Sequence, residues 1–301
     1  MQYLIFLSVN QLKGNMSKEL LAAPLRELEV ANLRKRTDAL RQRGVTPSMK
    51  VILVGENKAS VLYTRNKKKF IESVGCECEI IHLPENLTEE LFLSEIGRIV
   101  TDKSVHGCFI QLPLPKHLGH LDVGELIPPE KDVDGFNQGN ITKLFKGDIG
   151  KSALLPCTPK GIITLLNFYK ITLEGKNVVV IGRSEIVGRP LALLLINHNA
   201  TVTMCHSKTK NLKDFTKSAD ILISAIGRAN FLDRSFLSPA KNQVIVDVGI
   251  NHDEKGKLCG DVNFKDVFDY CSAITPVPGG IGPMTILSLT QNLLQATESS
   301  L

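Results

Sequence analysis

Tyr63 and Lys67 stand four residues apart in Ser60-Val-Leu-Tyr63-Thr-Arg-Asn-Lys67, just after the apolar run Lys50-Val-Ile-Leu-Val-Gly55. If the segment is helical, Ser60, Tyr63 and Lys67 fall at i, i+3 and i+7, and one face carries an aromatic ring with an amine above it. A lysine beside a planar aromatic is poor core material. It suits proton transfer on a flat, ring-shaped substrate. Gln111 closes a second apolar run, Gly107-Cys-Phe-Ile-Gln111, before Leu-Pro-Leu-Pro115, and a strand end is where α/β proteins bind ligands. Asp132 and Asp134 flank Val133 in the turn Lys131-Asp132-Val-Asp134-Gly135. Taken singly, Lys67 reads as a solvated charge, Tyr63 as a half-buried core edge and both aspartates as turn residues, a reading that fits Asp132 best.

The elements that must position these groups follow an alternating pattern. Leu21, Leu25, Leu28 and Leu33 predict an amphipathic helix over 18–43, ended near Gly44 and Pro47. Strands are expected over 50–55, 77–83 and 107–112, with helices over 60–74 and 88–102 between them. Repeats of this kind predict a parallel α/β layer. Residues 113–158 carry Pro113, Pro115, Pro128, Pro129 and Pro156 and read as substrate-facing loops and a hinge.

A second α/β unit begins near Lys176. The β-branched run Val178-Val-Val-Ile181 predicts a buried strand. It enters Gly182-Arg183-Ser184-Glu-Ile-Val-Gly188-Arg-Pro190, after which 191–198 reads as helix. A glycine-bearing turn between a strand and a helix N-terminus is built to meet a pyrophosphate. The spacing G-x-S-x-x-x-G departs from G-x-G-x-x-G, so the placement carries the argument more than the motif does. The following strand ends at Cys205-His206-Ser207-Lys208 with no acid for a ribose diol. Arg183 and Ser207 can donate to a 2′-phosphate, with Lys208 adding charge, which favours NADP over NAD. His206 reads as a ribose-pocket or strand-end residue.

With 301 residues, two domains are expected. A net charge of +5, scattered lysines and 5% aromatic residues with no Trp argue against a nucleic-acid surface and fit attraction of small anions. The seven cysteines (Cys76, Cys78, Cys108, Cys157, Cys205, Cys259, Cys271) contain no C-x-x-C pair, so reduced thiols in a cytoplasm are expected, with neither disulfide framework nor metal site. No apolar run reaches the length of a membrane span. Residues 1–15 read as an extra N-terminal arm outside the fold.

Taken together, Ser60-x-x-Tyr63-x-x-x-Lys67, Gln111-Leu-Pro-Leu-Pro115, Lys131-Asp132-Val-Asp134-Gly135-Phe, Pro156-Cys-Thr-Pro159-x-Gly161, Gly182-Arg-Ser184, Asp247-Val-Gly-Ile250-Asn251 and Thr275-Pro-Val-Pro278-Gly279-Gly-Ile-Gly-Pro283-Met-Thr285 closely resemble the bifunctional methylenetetrahydrofolate dehydrogenase/methenyltetrahydrofolate cyclohydrolase family. The resemblance runs over about 17–298. It implies a folate-binding catalytic domain (16–157 plus 283–301), a Rossmann-like NADP-binding domain (158–282), a cleft between them and a homodimer through the cofactor domain. It also implies Lys67 as the central catalytic residue, Gln111 as its partner, Tyr63 stacked on the pterin and Asp134 on its amino-pyrimidine edge. Ser60, Pro278 and Gly279 are placed with the folate, and Gly182, Arg183, Ser184, Ser207 and Ile250 with the cofactor. Asn137 departs from many relatives without touching the chemistry. A dehydrogenase with little hydrolase activity, a non-catalytic binding module and a shikimate-dehydrogenase-like enzyme are the competing readings.

Overall fold

The structure is a computed structural model describing residues 18–150 and 153–301, so the expected arm over 1–15 lies outside the described residues. After β1 (Lys18–Glu19) and α1 (Ala23–Gln42), the first half alternates β2 (Ser48–Val54), α2 (Lys58–Ser73), β3 (Glu77–Leu83), α3 (Glu89–Thr101) and β4 (Gly107–Ile110). Its three strands form a parallel sheet in the order β3-β2-β4. The central strand β2 buries Met49, Val51, Ile52, Leu53 and Val54, since helices cover both faces of such a sheet and leave no solvent side to alternate toward. Side-chain caps start the helices: Asn57 accepts from the Ser60 amide at 3.1 Å and Thr88 from the Leu91 amide at 3.3 Å.

The second half comprises α4 (Gln138–Phe145), α5 (Cys157–Phe168), β5 (Asn177–Ile181), α6 (Gly188–Asn197), β6 (Thr201–Cys205), α7 (Leu212–Ser218), β7 (Ile221–Ser224), β8 (Val244–Asp247), the hairpin β9 (Asn251–His252) and β10 (Leu258–Cys259), α8 (Phe264–Val267), β11 (Ala273–Ile274) and α9 (Ile281–Ser299). Its main sheet has six parallel strands in the order β1-β11-β8-β7-β5-β6. The order steps outward from β5 in both directions, which opens a crevice beyond the strand ends at the β5/β7 switch.

Two expectations change. Residues 18–19 are strand, not helix: Leu20 is fully buried and its amide donates to the Ile274 carbonyl at 2.8 Å, so α1 starts only at Ala23, beside Pro24. The proline-rich stretch also holds a helix, α4, capped by Asn137, whose Oδ1 accepts from the Gly139 amide at 2.7 Å. Asn137 is buried and its Nδ2 donates to the Gly124 and Ile127 carbonyls, so it pins the loop while standing outside the chemistry. The last helix, α9, packs along α5 and α1, with Met284 so close to Gly161 that a Cβ there would lie 2.9 Å away.

Candidate active site

Lys67 projects from the middle of α2 and is 4% exposed. Its Nζ lies 4.1 Å from the centroid of the Phe109 ring and 4.8 Å from that of Tyr63, and it donates to Gln111 Oε1 at 3.2 Å. The Gln111 amide cannot turn away, because its Nε2 donates to the Leu112 carbonyl at 2.8 Å. Burial pushes the Lys67 amine below the ordinary lysine range, opposed by the negative charge of Asp134. Among the described residues no salt bridge joins it to a carboxylate, so burial outweighs the more distant Asp134. The neutral amine is thus the form this pocket promotes.

Tyr63, one turn before Lys67, has its hydroxyl driven to higher pKa first by burial and then by Asp134, while a hydrogen bond to Thr285 works the other way. The phenol therefore stays neutral. Asp134 is half-buried, and among the described residues its carboxylate accepts no hydrogen bond. The backbone fixes its place. The Cys157 amide donates to the Asp134 carbonyl at 3.3 Å, and Gly135 at φ +83° lies so close to Leu155 and Pro156 that a Cβ would come within 2.5 Å.

Beneath it, Asp132 is buried and accepts from the amides of Gly135 (3.0 Å) and Asn137 (2.7 Å) and from Asn140 Nδ2 (3.3 Å). Burial still carries its carboxyl up to about 6. Asp132 is the pillar of the turn and Asp134 its free face. Asp132→Ala takes the acceptor from the buried Asn137 amide, while the Gly135 amide keeps the residue-132 carbonyl and Asn140 Nδ2 keeps the Pro129 carbonyl. It is expected to cost about 1–3 kcal/mol in denaturant unfolding, whereas Asp134→Ala costs under about 1 kcal/mol.

Three cavities run in a row past Tyr63. The first, about 710 Å³, is walled by Tyr63, Lys69, Phe70, Ile250, Pro278 and Gly279. Pro278 and Gly279 thus share a cavity wall with Tyr63, and Gly279 adopts φ +111°. A second of about 290 Å³ shares Tyr63 and Ile250 with the first and adds Thr158, Ser184, Ala225 and Thr285. A third of about 310 Å³ shares Ala225 and adds Gly182, Arg183, His206, Ser207 and Arg228. Lys67, Gln111 and Asp134 do not wall the first cavity; the Tyr63 ring, 4.8 Å from the Lys67 amine, does. Ser60 also stands away from it. It is buried, and its Oγ donates to the Leu112 carbonyl at 3.4 Å, tying α2 to the strand-end loop that carries Gln111.

The glycine turn is built as a close approach. Gly182 adopts φ +122°, and a Cβ there would run into the Ala225 carbonyl; a Cβ on Gly188 would run into that of Gly182. The serine in the motif has its own work: Ser184 Oγ accepts from the amides of Val187 (3.2 Å) and Gly188 (3.4 Å). The first amides at the start of α6 are therefore partly taken by the Ser184 hydroxyl. Beyond β6, the Lys208 amide donates to His206 Nδ1 at 3.1 Å and the His206 amide to Thr209 Oγ1 at 2.9 Å. That turn presents Ser207 to the same cavity as Arg183 and leaves Lys208 outside its wall. No Asp or Glu lines this cavity, while two arginines do. The residues fit a dinucleotide with a phosphorylated ribose. Arg228, absent from the sequence reading, lies in a loop without a motif; only the fold brings it beside Arg183.

A parallel catalytic layer, a Rossmann-type sheet and cavities between them walled by Tyr63 and Ile250, with the Lys67 amine buried beside the Tyr63 ring, define a two-domain dinucleotide-dependent α/β enzyme. Sequence comparison makes this specific. The family described as "Tetrahydrofolate dehydrogenase/cyclohydrolase, catalytic domain" matches residues 19–134, and its "NAD(P)-binding domain" matches residues 156–301. The chain belongs to this family. It is 49% identical over 269 residues to the bifunctional protein FolD of Ligilactobacillus salivarius, covering 89% of this chain and 93% of that one. The FolD methylenetetrahydrofolate dehydrogenase/cyclohydrolase structure from Campylobacter jejuni superimposes with TM-score 0.91 at 42% identity, over 95% of this chain and 100% of that one. The Trypanosoma brucei enzyme complexed with NADP and an inhibitor gives TM-score 0.89 at 31% identity, over 95% and 98% of the two chains.

Proposed function

We infer that the chain oxidises 5,10-methylenetetrahydrofolate with NADP⁺ to 5,10-methenyltetrahydrofolate and then hydrolyses that cation to 10-formyltetrahydrofolate. The observation that supports this reading is the buried Lys67 amine, held by Gln111 and set beside Tyr63, whose ring walls both the first cavity and the second. NADP⁺, when bound, supplies the hydride acceptor. Tyr63 offers its ring face to the pterin, and the open carboxylate of Asp134 takes two adjacent N–H donors of the amino-pyrimidine edge. Pro278 and Gly279 wall the rest of the folate. Arg183 and Ser207 hold the 2′-phosphate, Ser184 the pyrophosphate, and Ile250 packs where the two ligands meet.

In the hydrolytic step, water adds to the amidinium carbon and Lys67 Nζ takes one of its protons. As the bond from that carbon to N5 breaks, Lys67 returns the proton to N5 and the hydroxyl proton leaves, so one proton is released overall. The cationic substrate itself disfavours a charged lysine, which reinforces the effect of burial. Gln111→Glu places an anion against the amine and raises its pKa. The rising limb of the hydrolysis pH–rate profile should then move to higher pH, with a loss of at least about tenfold at pH 7. An unmoved limb would remove Gln111 from this role.

The domain division (16–157 plus 283–301 with folate, 158–282 with NADP) is proposed on the same basis, although β1 crosses it by pairing with β11. A homodimer through the cofactor half is supported by β6, an edge strand of the six-stranded sheet with no second neighbour among the described residues. A cytoplasmic setting is supported by seven free thiols and, among the described residues, by no helix long and apolar enough to cross a membrane. One assay tests the function: methylenetetrahydrofolate with NADP or NAD, following reduced cofactor and the methenyl absorbance together. Reduction of NADP with decay of the methenyl species supports both steps, and a stable methenyl species contradicts the second.

A further inference from the structure

The loop over 225–232 leaves the end of β7 and separates the second cavity from the third. Ala225 walls both, Gly227 only the second, and Ile226 and Arg228 only the third. This loop is wrapped around one side chain. Asp261 is fully buried, and its Oδ2 accepts from Ser224 Oγ at 3.0 Å and from the Ile226 amide at 2.8 Å. Its Oδ1 accepts from the Arg228 amide at 2.8 Å and from Asn251 Nδ2 at 3.0 Å. The backbone continues the attachment, with the Leu232 amide donating to the Asp261 carbonyl at 2.9 Å and the Asn230 amide to the Gly260 carbonyl at 3.0 Å. Asp261 is itself anchored, its amide donating to Asp247 Oδ1 at 2.9 Å.

Both oxygens of Asp261 face only donors. A carboxylate satisfies all of them, whereas an amide of the same size satisfies one side and turns N–H against N–H on the other. The carboxylate therefore specifies the loop's shape where the cofactor must pass. None of Lys67, Gln111 or Asp134 lies on this loop, and water addition to the methenyl cation consumes no NADP.

We propose that Asp261 is a positioning residue for the cofactor: buried behind the 225–228 loop, it holds that loop in the NADP-binding conformation and serves oxidation but not hydrolysis. The proposal rests on the bifunctional reading given above. Asp261→Asn tests it, with the KM for NADP, the rate of methenyltetrahydrofolate hydrolysis and NADPH binding by fluorescence titration measured on wild type and variant.

The KM for NADP and the NADPH dissociation constant are expected to rise at least about tenfold, because a displaced loop misplaces the cofactor. Hydrolysis is expected to stay within about twofold of wild type. Unchanged NADP constants, or equal losses in both activities, overturn the proposal. If wild type showed neither activity but NADPH binding still weakened tenfold in the variant, the functional reading would fail and this one would stand. Ser224→Ala removes a single donor to Asp261 and is expected to raise the KM for NADP about threefold. Should Asp261→Asn not fold, an unchanged constant in Ser224→Ala overturns the proposal.

Discussion

Lys67→Met is expected to hydrolyse methenyltetrahydrofolate at least about a thousandfold more slowly than wild type, within the range a positioned general base contributes. Methionine matches the lysine stem in length and keeps the contacts with Phe109 and Tyr63. It removes an amine from an enclosed pocket and takes the donor from Gln111 Oε1, a cost of about 1–3 kcal/mol that water offsets in part because Gln111 is only half-buried, so the fold should hold. Gln111 keeps its bond to the Leu112 carbonyl. NADPH binding, measured by fluorescence, should be unchanged, because Lys67 stands outside the cavities that carry Arg183 and Ser184. A full rate of hydrolysis in this variant would falsify the base assignment.

Arg183→Ala is expected to weaken NADP by about 30- to 100-fold while weakening NAD by less than about threefold. Charge-assisted hydrogen bonds to a phosphate contribute about 2–3 kcal/mol in total, and NAD offers no 2′-phosphate to lose them with. Arg228 in the same cavity retains part of the attraction, so Arg183→Ala/Arg228→Ala should lose more than either single variant. KM values for both dinucleotides, taken at fixed ionic strength because exposed charges are screened, decide the matter. Equal losses for NADP and NAD would take the 2′-phosphate away from Arg183.

The legible parts of this molecule were those where local chemistry and fold agree. The apolar run over 50–54 and the β-branched run over 178–181 announce strands, and both lie inside their sheets with a paired strand on each side. The i, i+3, i+7 spacing puts Tyr63 and Lys67 on one helical face, and in the fold they stand 4.8 Å apart, ring centroid to amine. What stayed hidden depends on distant partners. β1 and β11 are two residues each and exist only because they pair with one another and with β8. Helix α4 is short and surrounded by prolines, and its cap was visible only as a lone Asn137.

Side-chain direction was equally out of reach. Ser60 shares the face of Tyr63 yet turns to the Leu112 carbonyl, and Lys208 follows Ser207 yet stays off the cavity wall. Asp132 and Asp134 are two residues apart in one turn. Burial and hydrogen bonds make Asp132 the support, as its turn reading anticipated, and leave the half-buried Asp134 carboxylate open.

The most direct test titrates the Lys67 amine itself. Protein labelled with ¹⁵N at lysine, its Lys67 resonance assigned by its absence in Lys67→Met, is followed by NMR across pH. The structure predicts an inflection clearly below the usual lysine value of about 10.4. An inflection at or above that value would mean the nitrogen holds its proton throughout the working range and cannot take one from water.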